Sequence, residues 1–348
     1  MLLKFKNAQN CILKQNGEYV KKLAIERGYL VIVAGKEMPA VNVVVDGSWS
    51  KRTYGHGHDS NTGMAVIIEE DTKLVLWIGT RNKYCRQYPP KSMESEIIVE
   101  GFNKSIEFHG LVYQNVIGDG DSSVYHEILN RVQYPNIMVR KFECVNHALK
   151  NVKKPLIESS NNTKHKLELR KILKPKIERI ATAAASAIIY NHEHQYDEVP
   201  TTSLTLREDI INIPNHVFGS HHKCKEYFCG QKDEPDDTVL LLIWQEIKKA
   251  CENLANKSGR LIQNKNSNLC EGFMAQVSKF LQGKRLNVSQ KNGYEIRVLS
   301  ALFAYQFGPF WLAGVTKALG RNQHPKIWID LSRQNLWNSK LMIIEQED

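Results

Sequence analysis

Two acidic strings in this chain could hold a divalent metal ion. Asp46 ends the β-branched run VVVDG, and Asp119 follows a second apolar run in the string VIGDGDSS. Each carboxylate therefore stands at the end of a predicted strand, and two carboxylates held side by side on a rigid sheet suit metal-dependent phosphoryl chemistry. An isolated Asp-Gly pair is more often an ordinary turn, and Asp121 competes with Asp119 because both lie in one glycine-rich turn. We favour Asp119, since it follows the strand directly.

Cysteine and histidine residues form two further groups. Cys144 and His147 have Cys-x-x-His spacing, although taken alone they are more simply a buried cysteine and a core histidine. The second group, within 14 residues, comprises His216, His221, Cys224 and Cys229, with His222 as a substitute. These are zinc-ligand types, but spacings of five, three and five are not those of a common zinc finger. Zinc bound here would hold this part of the chain in place and take no part in catalysis.

The acidic residues fall on a run of predicted strands and helices. Short turns between the first three strands favour antiparallel pairing, whereas helical connections favour parallel additions to the same sheet. We expect a helix from Ser92 that Gly110 ends, and a second helix from Ser122 or Ser123. The sequence therefore predicts an α/β fold with a mixed five-stranded sheet in the order βββαβαβ, followed by a further helix. The predicted strands cover residues 41–45, 63–70, 73–78, 111–117 and 137–142.

A mainly helical insertion is predicted to interrupt this α/β unit. Residues 164–190 lack strand signals, and the apolar spacing within 148–262 indicates several helices. We expect the chain to divide into a helical lead-in over 1–40, the first part of the core over 41–147, the insertion with its Cys/His cluster over 148–262, core helices over 263–320 and a tail over 321–348.

The overall composition restricts the class of protein. The chain has 348 residues, 42% of them hydrophobic, and its net charge of +10 favours a polyanionic partner such as nucleic acid. Lys4 and Lys6 interrupt the first apolar residues, so no secretory signal is expected. Polar and helix-breaking residues at 306–309 argue against a membrane span in the longest uncharged run. Seven cysteines, an odd number, favour a reducing compartment over a disulfide framework.

The order of the strings resembles that of a known family. The chain contains five strings in this order: DGSWSKR, GDGDS, FECVNH, NHVFGSHHKC with EYFC, and NSNLCEGF. This set resembles the Mutator-like (MULE-type) DDE transposases over about residues 20–320, and the strand order resembles the ribonuclease-H-like nucleotidyl transferase fold. In that fold the first and fourth strands are neighbours, so the resemblance implies that Asp46 and Asp119 come together.

The resemblance implies a metal-binding triad of Asp46, Asp119 and Glu271, and a structural or zinc-binding role for Cys144 and His147. It also implies Mg²⁺ or Mn²⁺, with two ions at the scissile phosphate, and hydrolysis of DNA at element ends followed by strand transfer through attack of a 3′-hydroxyl group. Taken alone, a glutamate in the first turn of a helix is usually only favourable with the helix dipole. Glu143 and Asp237 are the alternatives for the third carboxylate, although Glu143 lies too close to the fifth strand for the expected topology.

Basic and aromatic residues near these strings are candidates for DNA contact. A basic helix face is usually only solvated, and a core position explains Trp49 at least as well as stacking on a base. The alternative is salt-sensitive contact with phosphates. The resemblance implies transposon ends and target DNA as partners, a homo-oligomer and a nuclear location, and the residues at 306–309 predict no membrane association. The candidate contacts are Trp49, Lys51, Arg52, Lys150, Lys153 and Lys154.

Two features depart from the family pattern. The connection after the third strand is short and keeps only Cys85, whereas the family has a longer Cys/His-bearing segment there. No separate DNA-binding module is expected before the core, and residues 321–348 end in the acidic string LMIIEQED. The alternative expectation is therefore a truncated or domesticated transposase-derived protein that binds DNA or protein partners without catalysis.

Overall fold

A computed structural model of the chain describes residues 2–50, 60–83, 92–120, 122–194, 199–221, 223–229, 241–284, 288 and 292–312. The predicted tail over 321–348 and Cys85 lie outside these residues. The chain divides into two compact units. Unit 1 is formed by the described residues of 1–116, 121–140 and 267–348, and unit 2 by those of 117–120 and 141–266. Among the helices that the structure describes, none combines the length and apolar character needed to cross a membrane.

The sheet is mixed and has six strands. They are β1 (Leu30–Val33), β2 (Lys36–Trp49), β3 (Thr62–Glu69), β4 (Val75–Asn82), β5 (Val112–Gly118) and β6 (Arg140–Glu143). Their order is β4-β3-β2-β5-β6, with β1 paired to β2. The helices are α1 (Leu2–Glu26), α2 (Ser92–His109), α3 (Ser122–Arg131), α4 (Val145–Asn161), α5 (Leu167–Glu193), α6 (Val199–Val217), α7 (Leu241–Ala255), α8 (Ser258–Leu261), α9 (Asn268–Phe280) and α10 (Gly293–Phe307).

From β2 to β6 the elements follow the predicted order βββαβαβ. Strand β2 lies inside the sheet and pairs antiparallel with β3, with Asp46 opposite Val66. Val44 and Val45 point to opposite faces of the strand, and both are buried. A run of β-branched residues is expected where both faces of a strand are covered. Helix α2 ends as predicted, because Gly110 adopts a φ of +63° directly after it.

Strand β1 corrects the predicted sheet, which had five strands. It forms an antiparallel hairpin with the start of β2, in which Val33 is opposite Lys36. The two linking residues, Ala34 and Gly35, both have positive φ angles, of 49° and 78°. A two-residue turn of this kind matches the twist of a hairpin, but Ala-Gly is a weak signal for it compared with Asn-Gly. Residues 1–40 therefore contain α1, β1 and the first part of β2.

Unit 2 is mainly helical, since α4 to α8 all belong to it. Its core consists of aliphatic side chains spaced three or four residues apart along each helix. Four fully buried examples are Leu156 on α4, Ile180 on α5, Ile210 on α6 and Ile247 on α7. The amphipathic periodicity that predicted helices in this part of the chain thus also predicted which faces are buried.

Candidate functional site

Asp46 is a half-buried residue of β2 in unit 1. Its Oδ1 atom accepts a hydrogen bond of 2.8 Å from the backbone N–H group of Gly47. The central position of the strand fixes the backbone on both sides, so the carboxylate projects from a rigid support. This is the placement that metal coordination by a sheet carboxylate requires.

Glu94 lies against Gly47, on the face of β2 opposite to that of the Asp46 side chain, and it was not among the predicted site residues. It lies in the first turn of α2, and its side chain fills the space above Gly47. A Cβ atom on residue 47 would lie 2.4 Å from Cδ and 2.6 Å from Oε2 of Glu94, so only glycine allows this approach. Its sequence signal is weak, because glutamates in first helical turns are common wherever they complement the dipole.

Cys270 connects the start of α9 to β2. Its thiol is fully buried and donates a hydrogen bond of 3.4 Å to the carbonyl oxygen of Val44, two residues before Asp46. Burial raises the pKa of Cys270 well above its usual value, and the negative charges of Asp46 and Glu94 raise it further. Glu271 follows in the same helical turn and is exposed. The first turn of α9 therefore lies against the strand that carries Asp46.

Asp119 belongs to unit 2, where it directly follows β5. Its side chain is 52% exposed, and its Oδ2 lies 3.7 Å from Nδ1 of His147 on α4. Cys144 is buried before the first residue of α4, and its N–H group donates to the carbonyl oxygen of Gly118 at 2.9 Å. The Cys-x-x-His string thus brings His147 to Asp119. Asp121 lies outside the described residues.

Glu143 is one of the two alternatives for the third carboxylate. Its buried carboxylate in unit 2 is surrounded by Lys141 at 3.8 Å, Lys257 at 3.3 Å and Arg260 at 3.5 Å. Burial lowers the pKa of Lys141, although the charge of Glu143 opposes this effect. The negative charge of Glu143 is thus already balanced by protein cations. Asp237, the other alternative, lies outside the described residues.

The candidate DNA contacts have different environments. The ring of Trp49 lies over Gly63 on the neighbouring strand, where a Cβ atom would come within 2.8 Å of Cζ3. Lys150 and Lys154 are exposed on α4. Lys153 instead contacts both carboxylate oxygens of Glu178, each at 3.2 Å. Lys51 and Arg52 lie outside the described residues.

The downstream cysteines and histidines converge at the end of α6 in unit 2. Their potential ligand atoms all lie within 4.8 Å of one another, and the four residues are His216, His221, Cys224 and Cys229. Among the described residues this is the one such group of three or more, so Cys144 and His147 do not join a cluster of this size. Burial lowers the pKa of His216, and the nearby His221 and Arg179 lower it further. His222 lies outside the described residues.

Comparison with known proteins gives one match. A family model described as Mutator-like transposase matches residues 4–90 and 87–229, which is more than half of the chain. The match includes Asp46, Asp119 and the Cys/His cluster, whereas Glu271 lies beyond it. No curated protein and no solved structure matches. The chain therefore belongs to the Mutator-like transposase family.

Proposed function

We propose that this chain is a metal-dependent DNA strand-transfer enzyme with a ribonuclease-H-like core, in which Asp46, Asp119 and Glu271 bind the catalytic ions. It would hydrolyse DNA at element ends and join the released 3′-hydroxyl end to target DNA. Family membership supports a transposase function. The two-metal reaction, the triad and a nuclear location go beyond what family membership alone supports, and they are part of this proposal.

One observation carries the proposal: Asp46 lies on an interior strand, and the first turn of α9 is held against the same strand. The Cys270 thiol donates a hydrogen bond to the carbonyl oxygen of Val44, and Glu271 is the next residue of α9. The negative charge of Asp46 also raises the pKa of Cys270, so Asp46 lies near the start of this helix. Asp46 and Glu271 are therefore candidates to bind a common divalent cation.

The donor atoms also fit the metal. Carboxylate oxygens are hard ligands and suit Mg²⁺ or Mn²⁺, whereas the buried Cys270 thiol remains protonated and does not compete. Bound ions would lower the pKa of the attacking water or 3′-hydroxyl group and stabilise the leaving oxygen. The chain itself would supply the carboxylates of Asp46, Asp119 and Glu271 as ligands.

His147 has a positioning role in this proposal. A ring nitrogen 3.7 Å from Oδ2 of Asp119 limits the orientations of an otherwise exposed carboxylate. Residues behind a metal ligand commonly orient it in this way, and their loss weakens metal binding about 10- to 100-fold. This arrangement gives the Cys-x-x-His string a role without zinc: Cys144 packs at the start of α4, and His147 faces Asp119.

DNA contact is proposed for the exposed lysines of α4. Lys150 and Lys154 are one helical turn apart and exposed, so both can reach phosphates. Lys153 contributes less because Glu178 already neutralises it. Assembly as a homo-oligomer on two DNA ends is part of the same proposal.

Cleavage and joining of labelled DNA test the proposed function. The substrate carries the genomic termini that flank the coding sequence, and the reaction contains Mg²⁺ or Mn²⁺. We expect wild-type activity that Asp46→Asn and Asp119→Asn both abolish, with folding and DNA binding retained. Well-folded wild-type protein that binds DNA without metal-dependent cleavage would refute the catalytic proposal and favour the non-catalytic derivative.

A further inference from the structure

The cluster at the end of α6 has the dimensions of a four-coordinate metal site. Sγ of Cys224 lies 3.5 Å from Nδ1 of His216 and 3.9 Å from Nδ1 of His221, and Sγ of Cys229 lies 3.4 Å from Nδ1 of His221. Tetrahedral zinc with Zn–S near ~2.3 Å and Zn–N near ~2.1 Å places sulfur and nitrogen ligands about 3.6 Å apart. The three sulfur–nitrogen separations in the cluster fall on both sides of this value.

Hydrogen bonding among the four side chains does not account for their convergence. Nδ1 of His221 has both sulfur atoms within 3.9 Å, yet one ring nitrogen offers either one proton or one lone pair. Sγ of Cys224 also has two imidazole nitrogens within that distance. Four potential ligand atoms within 4.8 Å of one another are better satisfied by an ion between them.

The residues around the cluster hold the cysteine-bearing loop in place. Asp209, a buried residue of α6, accepts hydrogen bonds from Tyr227 at 2.5 Å and Asn191 at 2.9 Å, and it pairs with Lys225 at 2.7 Å. Lys225 and Tyr227 both lie between Cys224 and Cys229 in the sequence. The loop is therefore fixed to α5 and α6 by contacts that do not involve the four potential ligands.

One neighbour also contacts a sulfur atom directly. Nδ2 of Asn212, one turn before His216 on α6, lies 3.6 Å from Sγ of Cys224 and can donate a hydrogen bond to it. N–H donors to a cysteine sulfur stabilise the thiolate form, which is the form that binds metal. Asn212 is thus suited to orient Cys224 as a ligand.

We propose that His216, His221, Cys224 and Cys229 bind one Zn²⁺ ion in a closed structural site of unit 2. Two thiolates and two imidazoles favour zinc over Mg²⁺, which prefers oxygen ligands. All four positions are taken by protein atoms, so the ion has no open position for substrate. This site has no residue in common with the carboxylates around Asp46, and its role is to join the end of α6 to the following loop.

Metal analysis of the purified full-length chain tests the proposal independently of DNA cleavage. We expect one zinc per chain, and Co²⁺ substitution should give the absorption bands of tetrahedral cobalt with thiolate ligands. Cys229→Ser should weaken zinc binding more than about 100-fold, because loss of an outer partner alone costs about 10- to 100-fold. Cys11→Ser is the matched control, since Cys11 is an exposed cysteine of α1 in unit 1.

Two further variants keep the test decisive if Cys229→Ser fails to fold. Cys229→His retains a zinc-ligand type and should keep the metal with an altered cobalt spectrum. Asn212→Leu should weaken binding about 10-fold or more while all four ligands remain. A folded chain that takes up no stoichiometric zinc from added Zn²⁺ under reducing conditions would overturn the proposal. So would equal zinc content in wild type, Cys229→Ser and Cys11→Ser.

Discussion

His109 is a buried histidine of unit 1 whose protonation should limit stability in mild acid. Its Nε2 lies 3.0 Å from the carbonyl oxygen of Leu13, which can only accept, so Nε2 carries the proton. Nδ1 then accepts the hydrogen bond from the hydroxyl group of Tyr113, also at 3.0 Å. Burial lowers the pKa of His109 from 6.5 to about 4. Near pH 5 the folded chain therefore keeps this ring neutral, whereas an unfolded chain protonates it.

The pKa difference determines both the sign and the size of the effect. Because folding lowers this pKa, the unfolded chain binds the proton more tightly, and stability falls as the pH falls. The stabilisation that comes from the neutral His109 is fully present above the unfolded pKa of 6.5, and it is lost as the pH falls through the folded pKa of about 4. At about 1.36 kcal/mol for each pH unit, the complete loss is about 3.4 kcal/mol, of which about 2 kcal/mol is lost by about pH 5.

Urea unfolding of the full-length chain and of His109→Gln measures this contribution. The difference in free energy of unfolding between wild type and variant should shrink by about 2 kcal/mol between about pH 7.5 and pH 5. Other titrating groups, such as Glu69 with its raised pKa, remain in both proteins and cancel in the difference. Hydrogen exchange should localise the change to α1 and α2, which His109 joins. An equal pH dependence in both proteins would refute this reasoning.

Three other substitutions test separate parts of the structure. Gly47→Ala should displace Glu94 and lower the free energy of unfolding by about 1–3 kcal/mol. Gly272→Ala, where a Cβ meets nothing within 4 Å, should not lower it, so equal losses in urea unfolding would contradict the close packing of Glu94 on Gly47. Glu143→Gln should lower the free energy of unfolding by about 3 kcal/mol by removing the Glu143 charge from beside the buried Lys141. The exposed Glu178→Gln should cost under about 1 kcal/mol, so similar losses in urea unfolding would contradict this account. Lys150→Gln should lower the slope of log affinity against log salt for DNA by about 1, and an equal change for the paired Lys153→Gln would contradict the assignment.

The sequence predicted much of the α/β element order because its signals are local. Runs of β-branched residues mark β2 and β3, and a glycine that tolerates positive φ ends α2 at Gly110. The hairpin of β1 was missed because Ala34 takes a positive φ that its residue type rarely adopts. Local preference alone does not identify such a turn.

The surroundings of the candidate site were harder to predict, since they depend on contacts between residues far apart in the chain. Glu94 packs against Gly47 only because residue 47 has no side chain, and Cys270 meets the carbonyl oxygen of a residue 226 positions earlier. The zinc-ligand set, in contrast, lies within 14 residues and was visible from its types and spacing. Its convergence depends on the loop contacts of Asp209, which no spacing rule specifies.

Iron-directed backbone cleavage tests the proposed metal site at Asp46 most directly. Fe²⁺ replaces Mg²⁺ at carboxylate sites, and with ascorbate and peroxide it cleaves the peptide chain beside its ligands. Our account predicts cuts near Asp46, Asp119 and Glu271 that excess Mg²⁺ suppresses and that Asp46→Asn removes together. Cuts that avoid both Asp46 and Asp119, or that persist unchanged in Asp46→Asn, would contradict it.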